Sequence, residues 1–571
     1  MRRVSKTAEA GFFQPAFFVL CRCGTPARAM GWERRGVAVV AATPLSVVSG
    51  HALATLQAAW VGPPISTSAA ALVLPVIAAG VAHWVKPSLA IGGLVAAIAG
   101  GGLAAAGILP WGILPLMVLA GVLLSALAGS IERALPQSVD GAWQRSRGKT
   151  IAWTVMALVM VLQISRLSVF MTDRDSTWGS TFPPVEFTVT HMCMASYVEA
   201  AELTRQDDPN IYDPKHYPNF GLTKAEDIET SVIGLQPYLD DSFHYPPPFL
   251  LLPRLWLGLS NDYLNIRSVW FAIQLLAFVA FAVLLARWIG GSTGAWALWM
   301  LPLLLASMPT MFNFQFGQAH LFTVWTAMAG MLAFEVKRPA VGGALLAGGI
   351  AAKIFPGVLV VYLLLRRRWL DLAWVAAFTL VFALATLAMT GPSPFVQFVT
   401  DLLPRLESGE AFSFVTEILP IATNLSVPGF VWKLDLLGIE GGAAMLGPAS
   451  AVYTLFILIA VWLAAGLDVD RVGRTEIWLA LLIVASLRSP LVPIYGAAPI
   501  LWLMTLQIDR VDTTKALVWF GISWAFISGM PPAPNPAVTV ALYGVAQIAL
   551  LYWVLKPLVG RRSIHPTHGA S

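Results

Sequence analysis

Long apolar runs alternate with short basic connections along most of this chain. The first of these runs cover about residues 37–60, 69–85, 88–108, 112–131 and 151–171. Later runs cover about residues 268–287, 293–309, 319–335, 369–390, 450–467, 515–531 and 537–555. Because about 20 apolar residues of α-helix cross a hydrocarbon layer of ~30 Å, the pattern predicts an all-α polytopic membrane protein with about 12 full spans.

Two polar regions interrupt the apolar pattern. Residues 172–264 are rich in Asp, Pro, Tyr and Asn, and a second polar region covers about residues 391–449. Lys and Arg instead collect in short connections, as at Arg366, Arg367 and Arg368. Connections rich in Lys and Arg stay on the cytoplasmic side of a membrane. We therefore expect both polar regions outside, with residues 172–264 as one large extracytoplasmic loop, the exported loop.

Two apolar stretches have basic residues at both ends and a break in the middle. The first lies between Arg338 and Arg366 and is interrupted at Lys353-Ile-Phe-Pro356. The second covers about residues 475–508 and is interrupted from Arg488 to Pro493. Proline disrupts a helix, and each half is too short to span a bilayer alone. The pattern predicts two short broken helical hairpins that return to their own side, tipped by Lys353 and Arg488.

Composition agrees with a membrane protein and narrows the chemistry. Hydrophobic residues make up 57% of the 571 positions and charged residues 12%, about half the charged fraction of a soluble domain. The net charge of +5 follows from the basic connections and does not indicate nucleic-acid binding. The three cysteines include no CxxC pair, so the sequence predicts neither a disulfide framework nor a cysteine metal site.

These patterns divide the chain into four parts. Residues 1–36 are expected to form a cytoplasmic tail, although a cleaved signal peptide or a true start at Met30 would also fit. Residues 37–131 form a block of four spans. Residues 151–510 form the membrane core that carries the exported loop, and residues 511–571 hold the last spans and a cytoplasmic tail.

The two hairpin tips are the first candidates for binding. A cation in the hydrocarbon region costs several kcal/mol unless it is paired or hydrated, so it marks a functional site by default. Lys353 and Arg488 on facing breaks would suit an anionic headgroup such as a lipid phosphate, helped by helix N-termini that begin at the breaks. Alternatively, each side chain reaches the interface or pairs with a buried carboxylate.

The exported loop offers candidates for a general base. Asp173 and Asp175 lie just beyond the end of a span, and Glu186 and His191 follow. A carboxylate at this level could take the proton from a sugar hydroxyl. A solvated loop held by local ion pairs around Arg174 is the alternative, and His191 could equally be a packed loop residue.

Other polar residues could contact a substrate. Asp240, Asp241 and His244 could form a metal or substrate site, although carboxylates beside a histidine are common in loops. The stretch from Phe312 to Gln318 combines amides with aromatic side chains, which is typical of sugar contacts. A polar helix cap would explain Gln318 as well.

Several short motifs together resemble a known family. They are Tyr197-Val-Glu-Ala-Ala201, Tyr245-Pro-Pro247, Phe316-Gly-Gln318, Ala347-Gly-Gly-Ile-Ala-Ala-Lys353-Ile-Phe-Pro356, Asn424-Leu-Ser426 and Ser489-Pro490. The combination resembles the polyprenol-phosphate-dependent glycosyltransferases of family 87. These belong to the GT-C group, which includes mycobacterial α-1,2-mannosyltransferases. The likeness covers about residues 151–510 and leaves the first four spans outside.

This resemblance implies a transferase with its active site facing outside a bacterial plasma membrane. The donor would be an undecaprenyl- or decaprenyl-phosphate sugar, carrying mannose, another hexose or a pentose. The acceptor would be a cell-envelope glycan or glycolipid, and the anomeric centre would be inverted. No separate cofactor is implied, and dependence on a divalent metal stays open. The resemblance places Lys353 near the donor phosphate, and the motifs and polar residues together predict substrate binding by Lys353, Arg488, Gln318, Asn424, His244, Tyr245 and Tyr495.

The chain departs from the family pattern at two places. The family usually has an Asp a few residues before Tyr197, where this chain has Thr190-His191-Met-Cys193. The base is therefore left among Asp175, Asp173, Glu186 and His191. The family also often has a His where this chain has Tyr495. A transporter or flippase of a polyprenyl-linked lipid, or an inactive scaffold of the same fold, stays an alternative, although a transporter needs no such exported loop.

Overall fold

A computed structural model describes most of the membrane core. The described residues are 87–105, 114–134, 147–173, 175–183, 185–206, 210–217, 232–236, 242–412, 418–529 and 533–559, with Asp208, Tyr238 and scattered positions between 38 and 83. The expected tail at residues 1–36, Asp240 and Asp241 lie outside the described residues, as do most positions of the first two expected spans.

Helices dominate the described part of the chain, in which no β-strand occurs. The helices up to the end of the exported loop are α1 (Leu89–Ala105), α2 (Leu114–Ala134), α3 (Arg147–Thr172), α4 (Glu186–Thr190), α5 (Cys193–Leu203) and α6 (Leu251–Leu259). The next helices are α7 (Tyr263–Ile289), α8 (Gly291–Ala306), α9 (Met308–Gln315), α10 (Ala319–Glu335), α11 (Pro339–Ala352), α12 (Gly357–Leu365) and α13 (Trp369–Thr390). The remaining helices are α14 (Ser393–Gln397), α15 (Leu403–Ser408), α16 (Ile418–Thr423), α17 (Phe430–Leu436), α18 (Leu446–Ala465), α19 (Arg471–Ser486), α20 (Ala498–Gln507), α21 (Thr514–Ile527) and α22 (Pro536–Val559).

The number of full spans differs from the sequence expectation. Among the described residues, five helices are long and apolar enough to cross a membrane, namely α3, α7, α13, α18 and α22. A sixth is added if α8 and α9, bent by 63°, count as one span. The expected all-α membrane protein is confirmed, but about 12 spans are not. One physical reason is helix length: α10 has 17 residues and α21 has 14, which hydropathy alone does not reveal.

The two expected helix breaks are present. Helix α11 ends at Ala352, Lys353 adopts an extended backbone with φ −150° and ψ 142°, and α12 begins at Gly357 after Pro356. Helix α19 ends at Ser486, and α20 begins only at Ala498. Both interruptions contain proline, which cannot donate the N–H that would continue a helix.

Ion pairs bring the two ends of each broken stretch together. Arg368, which follows α12, lies with Nη1 3.0 Å from Oε1 of Glu335, which ends α10 just before α11. Arg474 at the start of α19 reaches Oε2 of the same carboxylate at 3.2 Å. Arg510, after α20, pairs with Glu476 near the start of α19. Each broken stretch is therefore a hairpin, and we call this region of paired charges the basic end.

The full-length helices separate the basic end from the polar regions. Helix α13 has 22 residues and so extends about 33 Å at 1.5 Å per residue. It carries the chain from the basic end to the second polar region, and α18 carries it back, since Arg366 Nη1 donates to the carbonyl of Ala465 at 3.2 Å. Helix α11 has 14 residues and α19 has 16, so the hairpin tips lie only about 21–24 Å from the basic end.

A buried arginine closes the exported loop at its base. Arg267, near the start of α7, is fully buried. Its Nε donates to the carbonyl of Met171 at 3.1 Å, and its Nη2 donates to the carbonyl of Phe170, both at the end of α3. The two ends of the exported loop therefore lie side by side, at the opposite end of the molecule from the ion pairs.

This arrangement predicts the accessibility of cysteines introduced at four exposed positions. In a variant without the three native cysteines, Gln206→Cys and Glu410→Cys should react with an impermeant maleimide in intact cells. Arg338→Cys and Lys515→Cys should react only after permeabilisation, because they lie at the basic end. Labelling of Arg338→Cys in intact cells would overturn this topology.

Candidate active site

One cavity lies between the two hairpin tips and the polar regions. Its volume is about 760 Å³, within the usual range for a small-molecule site. Lys353 and Arg488 both line it. Its other polar lining residues include Cys193, Ser196, Tyr197, Ser242, His244, Tyr245, Gln318, His320, Glu407, Thr454, Ser489 and Tyr495. The sequence predicts the two cations on facing helix breaks, and the fold brings both to the lining of one cavity.

Neither cation is neutralised by a carboxylate in the part of the chain that the structure describes. Lys353 is half-buried, and its Nζ lies 5.1 Å from the centroid of the Tyr245 ring. Arg488 is half-buried, and its Nε donates to Oγ1 of Thr454 at 2.8 Å. A cation–π contact and a neutral hydroxyl stabilise a cation only modestly. The site therefore keeps capacity for an anion.

A buried amide joins two tyrosines on the wall of the cavity. The hydroxyls of Tyr197 and Tyr245 lie 2.5 Å apart. Both are within hydrogen-bond distance of Oε1 of Gln318, at 3.0 and 2.8 Å respectively. The preceding Gly317 has φ +62°, and an added Cβ would lie 2.7 Å from Cβ of Met194. Gly317 thus permits the turn that aims the Gln318 amide at the tyrosines.

Asn424 holds the tip of the second hairpin and does not line the cavity. Its fully buried side chain donates through Nδ2 to the carbonyl of Pro490 at 2.8 Å. Its Oδ1 accepts from the N–H groups of Ser426 and Val492, each at 2.9 Å. Leu425 donates in turn to the carbonyl of Val492 at 2.9 Å. These bonds fix the loop after Arg488, and the expected role of Asn424 in substrate binding stays a prediction.

Three of the residues expected to contact the substrate, His244, Tyr245 and Tyr495, line the cavity with their rings. His244 lies 5.4 Å from the ring of Phe412, centroid to centroid. Burial, together with the charges of Arg405 and Lys353, lowers the pKa of His244 to about 3, so this imidazole is neutral near pH 7. Tyr245 and Tyr495 also line the cavity, and the Tyr495 ring lies 6.4 Å from that of His320.

The four expected base residues do not line the cavity. Asp173 accepts hydrogen bonds from the N–H of Asp175 at 3.0 Å and from the hydroxyl of Ser176 at 2.7 Å, which closes a turn. Asp175 and Glu186 are exposed. His191 is buried between aromatic rings, and burial lowers its pKa to about 3. Their role as base stays a prediction, and the structure does not bring them to the two cations.

Sequence reasoning missed several polar residues of the cavity wall, four of which could take part in chemistry. Cys193 lies in the stretch where the chain departs from the family pattern, and His320 follows Gln318 by two residues. Tyr197 belongs to a motif that was recognised without a role. Glu407 lies on α15 in the second polar region. Of these, only Cys193 carried a signal, because it lies in the stretch that departs from the family pattern.

Metal binding has no support in the described part of the chain. No group of three or more His, Cys, Asp or Glu side chains there is placed to hold a metal ion. Of the trio proposed from the sequence, only His244 is described, while Asp240 and Asp241 lie outside the described residues.

The fold and the cavity define an all-α membrane protein with an anion-accepting site between two hairpin tips. Residues 243–493 match the family model of glycosyltransferase family 87. This match, over less than half of the chain, agrees with the resemblance seen in its motifs and indicates a membrane glycosyltransferase. The match includes Tyr245, Gln318, Lys353 and Arg488, whereas Cys193 and Tyr197 precede it. Comparison with curated proteins and with solved structures finds no match for the chain.

The hydrogen bonds of Asn424 predict a loss of stability on its removal. Asn424→Ala leaves buried backbone groups of the second tip without partners, which should cost about 1–3 kcal/mol of unfolding free energy. Asn265→Ala is the control, because Asn265 makes one long contact of 3.4 Å with Ser260. Thermal unfolding in detergent compares the two. An Asn424→Ala variant as stable as the control would contradict this role.

Proposed function

We propose that this glycosyltransferase moves a sugar from a polyprenyl-phosphate donor to a cell-envelope glycan or glycolipid. The reaction would take place on the outer face of a bacterial plasma membrane, in the cavity between the hairpin tips. The single observation that carries the proposal is the pair of cations, Lys353 and Arg488, that line one cavity without a carboxylate partner among the described residues.

The charge of the site fits a phosphate. Two cations from separate hairpins converge where each would be costly to bury unless it met an anion. A guanidinium can bind two phosphate oxygens, while an ammonium acts as a compact point charge. Arg488 would therefore orient the phosphate, and Lys353 would neutralise it. Glu407 also lines the cavity, but among the described residues it forms no ion pair with either cation.

The apolar part of the wall fits the lipid chain of such a donor. Val361 from α12 and Ile457, Leu458 and Val461 from α18 line the cavity. Ile354, which follows Lys353, and Leu458 also keep about half of their surface exposed, at 54% and 52%. Apolar side chains therefore form part of the rim, where a polyprenyl chain could leave the phosphate and enter the bilayer.

The sugar would lie against the tyrosines and the neutral imidazoles. Gln318, Tyr197 and Tyr245 present hydroxyl and amide groups on one wall. The His244 ring also lines the cavity, next to the ring of Phe412. Hydroxyl-rich ligands are bound by such combinations of flat rings and a few fixed polar groups. Mannose is the sugar that the family resemblance favours, and another hexose or a pentose would fit the same description.

The same cations would also assist the reaction. When the bond between the anomeric carbon and the phosphate oxygen breaks, the leaving phosphate gains negative charge. Cations already in place stabilise charge that develops in the transition state, and removing one such donor typically costs about 100- to 1,000-fold in kcat. Lys353 is the better placed for this role, since its ammonium lies over Tyr245 beside the sugar wall.

Substitution of Lys353 tests the proposal in proteoliposomes supplied with decaprenyl-phosphate mannose and a lipid acceptor. Lys353→Ala should lower transfer by about 100-fold or more, because the leaving phosphate loses its nearest counter-charge. Lys515→Ala at the basic end serves as the matched control, since it removes one exposed lysine far from the cavity. Both variants are first shown to insert and to unfold at the same temperature as the parent chain.

The outcome separates the alternatives. Full transfer by Lys353→Ala would remove that lysine from the donor site. Movement of the labelled lipid across the bilayer without formation of a glycoside would instead support a flippase. Comparing the envelope glycolipids of a deletion strain with those of its parent then identifies the acceptor by the sugar that is lost.

A further inference from the structure

Two side chains that line the cavity, Cys193 and Glu407, could accept a proton without adding positive charge, and of these Cys193 contacts the Gln318 amide. Cys193 is a buried thiol at the start of α5 and lines the cavity. The acids that the sequence favoured as base do not line it. His244 and His320 do, but a proton on either imidazole would place a further positive charge near Lys353, which is unfavourable.

Two side chains, Gln318 and His191, contact the sulfur of Cys193. Nε2 of Gln318 donates to its Sγ at 3.3 Å, and Nε2 of His191 lies 3.4 Å from the same atom. His191 is itself fixed, because its ring stacks on Phe187 at 4.5 Å and meets the edge of Phe316 at 4.9 Å. Hydrogen bonds donated to a sulfur favour its thiolate form.

Lys353 connects this thiol to the phosphate site. Gln318, which donates to Cys193, also accepts from the hydroxyl of Tyr245, whose ring carries the Lys353 ammonium. Lys353 and Cys193 line the same cavity. A neighbouring cation favours the thiolate, which is the reactive form of cysteine. The ammonium of Lys353 would therefore be the counter-charge both of the Cys193 sulfur and of the candidate phosphate.

A second feature of the same cavity indicates that a ligand completes this site. His320 lines the cavity with only 5% of its surface exposed. Among the described residues its Nε2 has no hydrogen-bond partner. A buried polar atom without a partner is costly, so a bound molecule with a hydroxyl or phosphate oxygen would satisfy it.

We propose that Cys193 is the general base of the transfer, held in place by His191 and Gln318. The inference rests on the proposed function. The thiolate sulfur takes the proton of the acceptor hydroxyl, and the hydroxyl oxygen bonds to the anomeric carbon of the donor. The bond from that carbon to the phosphate oxygen breaks, and its electron pair stays on the phosphate. One negative charge thus passes from sulfur to phosphate while Lys353 remains beside both.

Substitutions at Cys193 test this role in the proteoliposome assay with decaprenyl-phosphate mannose. The background variant Cys21→Ser/Cys23→Ser leaves Cys193 as the only thiol. In that background, Cys193→Ser and Cys193→Asn should lower kcat by about 100-fold or more, while KM for the donor changes by less than about threefold. Cys193→Asp should retain much of the activity, because a carboxylate can take the same proton. Cys193→Asn is the matched control for Cys193→Asp, because the Asn side chain has nearly the same shape but no carboxylate to take the proton.

A thiol reagent gives an independent measurement. Methyl methanethiosulfonate should modify Cys193 and stop transfer, decaprenyl phosphate should slow the modification, and a reducing thiol should restore activity. Full transfer by Cys193→Ser, or Cys193→Asp and Cys193→Asn with equal activity, would overturn the proposal. Loss of transfer in Glu407→Gln with retention in Cys193→Ser would move the base to Glu407. If the parent chain itself transfers nothing, the proposed function fails, and not the role of Cys193.

Discussion

Two cations at the hairpin tips, with no carboxylate partner among the described residues, are the constraint on which the rest of the structure depends. Lys353 and Arg488 have no carboxylate partner in the described part of the chain, and a charge in a low-dielectric layer must meet an anion or water. Both cations bear this cost of desolvation at the tips of the two hairpins, in one cavity. The rest of the fold brings the two tips to one cavity and keeps them there.

The positions of the tips follow from ion pairs at the basic end and from the hydrogen bonds of Asn424 beside the second tip. Glu335 gathers Arg368 and Arg474, so the first hairpin and the start of the second are fixed at the basic end. At the other end, Asn424 holds the loop that follows Arg488. A hairpin fixed at both its base and its tip can place a side chain with the accuracy that transfer of a sugar requires.

Much of this arrangement could be predicted from the sequence. Basic residues on both sides of a stretch with proline in its middle predict a hairpin, because topology and helix breaking are local properties. Span number could not be predicted as well, since hydropathy does not show that the run through Pro309 ends at Ala306 and bends. The hydrogen bonds of Asn424 could not be predicted for a related reason: an amide in a sequence does not reveal which carbonyl it faces.

The general base that we propose for the transfer could not be predicted from the sequence. Carboxylates of the exported loop were the natural candidates, but Asp173 closes a turn, and Asp175 and Glu186 are exposed. The sequence does not show which side chains surround Cys193. Gln318 and Lys353 are distant from it in sequence, and the contact between the nearby His191 and its sulfur forms only when the chain folds. Long-range contacts of this kind are what a single sequence cannot supply.

The most direct test of the central claim is binding of decaprenyl phosphate to the purified protein. Titration monitored by native mass spectrometry gives Kd for the parent chain, Lys353→Ala, Arg488→Ala and the double variant, with Lys515→Ala as control. Hydrogen bonds to charged groups contribute about 1.5–3 kcal/mol each, so each single substitution should weaken binding by roughly 10- to 100-fold. The double variant should bind no better than the weaker single variant. Unchanged binding by the double variant would contradict the account.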